Sequence, residues 1–495
     1  MITSEEKQIR EYLTIEEITF AVPAQSFAIS CSISAEEALP VVTEFALRVA
    51  YVCGTLQPEQ LQDFFGFSRK ETDAVLNALL DERLLQWNEE NLELTHYATA
   101  RFQDSSDNLP RFFKIQDWSA EVIFDLISFN PITPTNRLKK LRFQVELTVQ
   151  NSDKQSRSIN YAEQSFQKNF KNICKKDKAE IYKISAIDAG ERFSIPLPCS
   201  FQLDLDGQPS LTRNIDDQNF GSHLEISEAI TDSLTNNERY TNERFEIFTR
   251  IFGGSCLQRY VSHDTFDLRG YVHEVHLTQM LRPDDERISP LLGALYLPRN
   301  EELLLNRLQA TLTQADSVAA THESSTAEPD QPGTTDLHAI WVAPQSSFWA
   351  RTQRARNLVH KLDRFFINDK SRNSGSGVQI IIPSVSRYSR DRIQAYQDQF
   401  TNVATADILL MNGNLELLVI PGRLICAIFH FHLTHQPLAI PLGLISTAPE
   451  HIAAAEELIR SHLEPRLHTL RATHPDKNST TQEGILQLIN QFSYK

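Results

Sequence analysis

Six cysteines are spread over 495 residues (Cys31, Cys53, Cys174, Cys199, Cys256 and Cys426), and no two form a C-x-x-C pair. That spacing excludes a zinc module and the disulfide framework of a small secreted domain. It leaves an expectation of buried thiols in a reducing compartment. No apolar run approaches the ~20 residues that cross a bilayer, so no membrane contact is expected. The first residues, MITSEEKQIREYL, are charged and lack the apolar centre of a signal peptide. The sequence has no G-x4-G-K-[ST] loop, no G-x-G-x-x-G and no G-x-S-x-G elbow. Neither a nucleotide cofactor nor a serine-hydrolase elbow is therefore expected, and the expected cofactor set is empty. No internal repeat of fixed period is visible. These absences together predict a cytoplasmic, soluble protein of several domains.

An apolar fraction of 41% is enough for several packed cores, and the length suggests about three domains. One stretch, TQADSVAATHESSTAEPDQPGTTD, lacks aromatic residues and is rich in Ser, Thr, Ala, Glu and Pro. It buries too little apolar surface to offset its ordering entropy, which predicts a linker over 313–336. Before it, AEEALPVVTEFALRVAYVCG has apolar residues at helical spacing with Pro40 in the first turn. A short helix, PEQLQDFFG, stops at Gly66. Ser68 then caps a third helix, RKETDAVLNALLDERL, with Glu71 at the capping-box position. The runs LLQW and LELT around NEEN read as a hairpin.

Three helices and a hairpin in this order resemble the winged helix-turn-helix family over residues 35–102. The resemblance implies that Leu76, Leu79 and Leu80 pack the third helix and that Trp87, Leu92 and Leu94 seat the wing. In DNA-binding members the third helix enters the major groove. Here that helix offers Arg69, Lys70 and Arg83 together with Glu71, Asp73, Asp81 and Glu82, and the wing tip adds Glu89 and Glu90. Carboxylates at those places repel phosphate, so this module alone reads better as a protein-interaction or scaffolding unit.

Residues 103–312 read as a mixed α+β domain. KLRFQVELTVQ alternates like a strand, and EIYKISAIDAGERFSIPLPCSFQLDLDGQPSL reads as several strands with turns at Ala189-Gly190 and Asp206-Gly207. NYAEQSFQKNFKNICKK and NERYTNERFEIFTRIF read as helices.

Net charge is −16, so the whole-chain field repels nucleic acid, and any contact with it requires a local patch. Between Arg137 and Lys178 eleven Lys/Arg face four Asp/Glu, a net of +7. Arg137, Lys139, Lys140, Arg142, Lys168, Lys171, Lys175 and Lys176 are the candidate phosphate contacts there. A second basic stretch, RTQRARNLVHKLDRFFINDKSR, supplies Arg351, Arg354 and Arg356, and SRYSRDR adds Arg387, Arg390 and Arg392. The alternatives for both are an acidic partner surface or an ordinary solvated helix face.

Two histidine clusters invite a chemical reading. HDTFDLRGYVHEVH contains His263, Asp264, Asp267, His273, Glu274 and His276 but is not H-E-x-x-H. Its YVHEVHL segment reads as a strand, which puts His273 and His276 on opposite sides, so no metal is expected. The second cluster lies in a meander of strands, ADILLMNGNLELLVIPGRLICAIFHFHLTHQPLAIPLGLIS, with turns at Asn412-Gly413 and Pro421-Gly422. His430 and His432 alternate with Phe429, Phe431 and Leu433 and share one strand face. A helix, PEHIAAAEELIRSHLEP, follows.

Strand, strand and helix in this order resemble half of a phospholipase D-like domain, over about 110 residues of the C-terminal stretch 337–495. The family motif is H-x-K-x4-D, with histidine as nucleophile and lysine on the phosphate. His430 matches the histidine, but His432 stands in place of the lysine and Pro437 in place of the aspartate. Gly443 is near the motif glycine but is followed by Leu444. The other candidate, His360-Lys361, lacks the spacing. The resemblance therefore implies a degenerate relative in which no residue is catalytic. The plainest reading is one exposed strand face that carries both imidazoles.

The expected architecture is multi-domain α+β. An extension (1–34) precedes the winged helix (35–102), the mixed domain (103–312), the linker (313–336) and an α/β domain with a strand meander (337–495). The expected role is a non-catalytic accessory subunit of a bacterial multi-protein system, defence against phage or foreign DNA among them. It would bind nucleic acid or a partner protein of that system. The alternatives are a phospholipase D-like nuclease or phosphodiesterase centred on His430 with His432, and a transcriptional regulator with a sensory C-terminal domain.

Overall fold

The computed structural model describes residues 13–37, 39–103, 109–133, 142–176, 178–204, 209–215, 217, 219–220, 223–234, 241–262, 265–277, 286–322, 338–366, 377–384, 389–396, 399–472 and 478–492. The chain is a multi-domain α+β protein of two compact units. Unit 1 comprises Met1–Pro23, Thr135–Gln150 and Phe193–Lys495, and unit 2 comprises Ala24–Pro134 and Asn151–Arg192. These units run across the expected boundaries, because two 25-residue strands contribute residues to both.

The first of them, β1 (Leu13–Glu37), occupies most of the expected N-terminal extension. Then come α1 (Val41–Cys53), β2 (Thr55–Leu56), α2 (Pro58–Phe65), α3 (Arg69–Asp81), β3 (Leu85–Asn88), β4 (Asn91–Leu94) and α4 (His96–Gln103). The three short strands form a sheet of order β2-β4-β3. Local chemistry sets these bounds. The Ser68 hydroxyl accepts from the Glu71 N–H at 3.4 Å, and Glu71 accepts from the Ser68 N–H at 2.8 Å. Gly66, at φ +66°, ends α2 in a left-handed cap. Leu76, Leu79 and Leu92 are buried with Leu47 and Leu61 in one core, and Leu80 and Leu94 pack partly against it. Trp87, expected to seat the wing, is 52% exposed. It lies opposite Leu92 in the hairpin, beyond the edge of that core.

Strand β5 (Phe112–Asp125) pairs antiparallel with β1 from Ala24↔Asp125 to Glu37↔Phe112, and β6 (Pro131–Ile132) pairs with the end of β5. KLRFQVELTVQ yields only the short β7 (Val145–Glu146), which pairs parallel with Phe20 and Ala21 of β1. Helices α5 (Ser152–Ser156) and α6 (Ser158–Cys174) follow, then β8 (Glu180–Asp204), which neighbours β1. The turn expected at Ala189-Gly190 is absent, and β8 runs straight through it. Gly190 is there for close approach: a Cβ at this position would clash with Ser26, and its carbonyl accepts from the Gln25 side chain at 3.1 Å.

In unit 1, β9 (Ser210–Asn214) pairs with the end of β8. Next come α7 (Leu224–Leu234), α8 (Phe245–Ile251), α9 (Gly254–Gln258), β10 (Val261–Ser262), β11 (Thr265–Phe266) and α10 (Leu268–Leu277). Helix α10 replaces the strand expected for YVHEVHL. Its buried Leu268, Tyr271 and Val272 recur at helical spacing, and Asp267 accepts from the Gly270 N–H at 2.9 Å at its start.

The chain then builds β12 (Ile288–Leu292), α11 (Pro298–His322), β13 (Ala339–Val342), α12 (Gln353–Phe366), β14 (Val378–Pro383), α13 (Ser389–Tyr396), β15 (Val403–Ala406), β16 (Leu415–Ile420), β17 (Leu424–His432), β18 (Ala439–Ser446), α14 (Pro449–Leu463), β19 (Arg471–Ala472) and α15 (Asn478–Asn490). Its sheet has the order β12-β18-β17-β16-β13-β14-β15-β19. One face packs on residues of α14 and α15 such as Ile452 and Ile485, and the other on residues of α11 and α12 such as Leu304 and Leu358. Strand β12, from the expected middle domain, joins this sheet beside β18. Helix α11 runs on through His322, so the start of the expected linker is helical, and 323–336 lies outside the described residues. No helix among the described residues is long and apolar enough to cross a membrane.

Candidate functional site

Helix α6 is amphipathic in the simplest way. Ala162, Phe166, Phe170 and Cys174 recur every four residues and are buried. Trp118 of β5 stacks on Phe166 at 5.7 Å and meets Phe170 edge-on at 6.3 Å. This anchoring turns the opposite face outward. Lys168, Lys171, Lys175 and Lys176 are all exposed, and among the described residues their ammonium groups have no ion-pair partner. Lys175 ends the helix in a left-handed conformation, φ +53°, which places two cations at the negative end of the helix dipole. The only acid of the helix, Glu163, is half-buried.

The other expected contacts are dispersed. Arg142 is exposed, whereas Arg137, Lys139, Lys140 and Arg387 lie outside the described residues. Lys178, in the same basic segment, pairs with Glu36 at 2.8 Å. In unit 1, Arg351 donates to the Ser347 carbonyl at 2.9 Å and the Phe143 carbonyl at 3.3 Å, and sits 4.9 Å over the Tyr396 ring. Arg354 pairs with Glu17 at 2.7 Å, and Arg356 is half-buried beside His360 at 3.3 Å. Arg390 and Arg392 lie on α13, with side chains outside the described residues. The structure thus gathers four of the expected cations into one ridge and uses Arg351 and Arg354 to tie loops and strands together.

The histidine strand holds the second site. Strands β16 and β17 pair from Leu415↔Phe429 to Ile420↔Leu424, across the turn at Pro421-Gly422. His430 is not on an exposed face: it is 6% accessible, and its Nε2 lies 2.8 Å from Glu416 Oε2. The other Glu416 oxygen accepts from the Trp341 indole N–H at 3.0 Å. Both oxygens of this buried group are therefore hydrogen-bonded, as burial of polar atoms requires. The local sequence offers His430 no acid; the sheet brings one from the next strand. A lone Glu inside the apolar run LELLVI was the signal that could have found it, since such a residue needs a buried partner.

His432 is half-buried, and Asn242 brackets its backbone, accepting from the N–H at 2.9 Å and donating to the carbonyl at 2.8 Å. Burial, helped by the nearby His430, pushes its pKa down to about 3. Close to Glu416 lies a second buried acid, Glu16 of β1. The Tyr296 hydroxyl donates to it at 2.5 Å and accepts from the Ala350 N–H at 3.1 Å. Burial raises the Glu16 pKa to about 8 despite the Tyr296 hydrogen bond, and the Glu416 charge adds to the rise.

In the other histidine cluster, His273 is exposed on α10, while His263 and Asp264 and the side chains of Glu274 and His276 are outside the described residues. No group of three His, Cys, Asp or Glu among the described residues is placed to hold a metal ion.

No protein-family model matches the chain, and no curated protein matches it. One solved structure that it resembles is described as "Structure of TrmBL2, an archaeal chromatin protein, shows a novel mode of DNA binding", with 10% identity over 86% of this chain and 94% of that one. The TM-score is 0.22, a level at which the likeness carries no argument about fold or function.

Proposed function

We propose that this protein is a non-catalytic accessory subunit that binds nucleic acid through the lysine ridge of α6. The observation that carries this reading is the ridge itself: four exposed cations, Lys168 and Lys171 on α6 and Lys175 and Lys176 just past its C-terminal end, in a chain of net charge −16. From Lys168 to Lys175 the ridge covers about 10 Å of helix axis, which matches about three successive phosphates of one strand. The order helix, strand, helix, helix, hairpin in residues 41–94 supports a winged-helix assignment for that part of unit 2. The outward face of α3 carries Asp73 and Asp81 beside Lys70, which suits docking of a partner protein better than reading a DNA groove.

The test is anisotropy of a labelled random duplex, titrated at several salt concentrations. Wild type should bind with a log–log salt slope near −0.9 per phosphate, roughly −3 for the ridge. Changing Lys168, Lys171, Lys175 and Lys176 together to Gln should weaken binding and flatten the slope. An unchanged slope and affinity removes the ridge from the site.

A second reading, phosphodiester chemistry at His430, is favoured by one observation, the 2.8 Å contact with Glu416. A carboxylate in that position orients an imidazole. The same contact serves equally to satisfy two buried polar groups, and near-complete burial of both favours that role. Hydrolysis of DNA or RNA by wild type, lost in His430→Ala with folding retained, would decide for chemistry.

A further inference from the structure

Helix α1 is apolar on almost every side. Apart from Thr43, Glu44, Arg48 and the hydroxyl of Tyr51, VVTEFALRVAYVC is nonpolar. Its inner face, Ala46, Leu47 and Ala50, packs into the core of the three-helix unit. Its outer face is bare: Val41 is 69% exposed, Phe45 41% and Val52 79%, whereas Val49, half-buried, packs toward the core. Val41, Phe45, Arg48 and Val52 follow one another at three- or four-residue steps and form one stripe along the helix. A helix that is hydrophobic all round is ordinarily covered all round. Arg48 lies within the stripe and Glu44 beside it, 3.5 Å apart, with the Arg48 guanidinium 5.2 Å over the Phe45 ring.

We infer that this stripe is a self-association surface, on which α1 of a second copy of the chain packs antiparallel about a two-fold axis. The charge pattern selects a second copy as the occupant. With the axis midway between Val41 and Val52, Val41 lies opposite Val52 of the second copy, and Phe45 lies opposite its Arg48. Glu44 then falls within one residue of the same Arg48. Each guanidinium is held between a ring and a carboxylate of the other copy, and symmetry makes the contact twice. One helix seam buries less than the ~800 Å² per partner of a standard interface, so the dimer is a micromolar one.

Sedimentation velocity of the full chain tests it, over concentrations from about 1 to about 100 μM that bracket a micromolar constant. A reversible monomer–dimer equilibrium is expected. Val52→Glu and Phe45→Glu, at exposed positions that leave the inner face intact, should each raise the dissociation constant about tenfold or more, with circular dichroism confirming the fold. Glu44→Arg and Arg48→Glu should each weaken the dimer, and the double exchange should restore it, because the two-fold contact is reciprocal. A chain that stays monomeric throughout overturns the proposal. So does a dimer indifferent to Val52→Glu, and a double exchange no better than the single changes overturns the antiparallel arrangement.

Discussion

Unit 2 keeps the charges of α6 in water, and unit 1 buries several of its titratable groups. Lys168 and Lys171 on α6, and Lys175 and Lys176 at its C-terminal end, are exposed, with no ion-pair partner among the described residues. Glu16, Glu416 and His430 are buried, and each meets a polar partner within 3.0 Å: Tyr296 for Glu16, His430 and Trp341 for Glu416. A solvated ammonium costs little to keep and stays available for a ligand. A buried carboxylate is tolerated only when its oxygens are bonded, and losing one partner strands the other in a poorly solvating core. The two regions should therefore separate under mutation, with binding sensitive to the first and folding to the second.

The largest expected effect breaks the buried group. Glu416→Ala leaves the His430 imidazole and the Trp341 indole N–H unpaired, and should destabilise unit 1 by about 3–5 kcal/mol in urea unfolding. A loss below about 1 kcal/mol would show that the pair is dispensable and would blunt the contrast with the ridge.

The pH profile comes next. Glu16 faces Tyr296, Glu17 and Glu416 and holds its proton to about pH 8, against 4.5 for a free glutamate. The unfolded chain releases that proton first, so the Glu16 contribution to stability falls as pH rises from about 4.5 to 8 and is level above that. His432 works in the opposite sense: it stays neutral in the fold down to about pH 3, whereas the unfolded chain protonates it below 6.5. Its contribution is lost as pH falls through that range. The two oppose one another between 4.5 and 6.5, so the interval from 6.5 to 8 isolates Glu16. Across it this residue should cost unit 1 roughly 2 kcal/mol. Urea midpoints at the two ends of the interval should differ in wild type and converge in Glu16→Gln.

Smaller effects sharpen the other side. Ser68→Ala removes the cap of α3 and should cost unit 2 about 1 kcal/mol, read as a lower thermal midpoint. Lys168→Ala should change stability by less than about 0.5 kcal/mol while still weakening duplex binding. A ridge lysine that proved important for folding would mean that its charge is not free for a ligand.

Legibility in the sequence followed the range of each signal. Helix α3 was readable because Ser68, Glu71, Leu76 and Leu79 are all within three turns of one another. The meander of β16, β17 and β18 was readable from two apolar runs and the Pro421-Gly422 turn, a dipeptide that admits φ +64° at the glycine. The lysine ridge was half-readable: basic residues were plain, but which of them lie on a solvent face depended on where Trp118 seats α6. Arg351 and Arg354 looked the same as the ridge lysines until their partners, the Phe143 carbonyl and Glu17, were seen.

By itself, then, the sequence determined the mixed α+β class, the spans of the capped helices and the alternation that sets His430 and His432 on one strand face. Those properties arise from neighbours a few residues apart, whose geometry is the same in any fold. Tertiary structure decided that β8 continues through Gly190, because the reason for that glycine is Ser26 on another strand. It decided that YVHEVH coils into α10, because the core takes Leu268, Tyr271 and Val272 from one helical face. It decided above all that His430 meets an acid, since Glu416 is fourteen residues away in the chain and only the hairpin register brings the two within 2.8 Å. Such pairings depend on distances that close only after strands have aligned; a lone Glu in an apolar run signals that a partner is needed, but not which one.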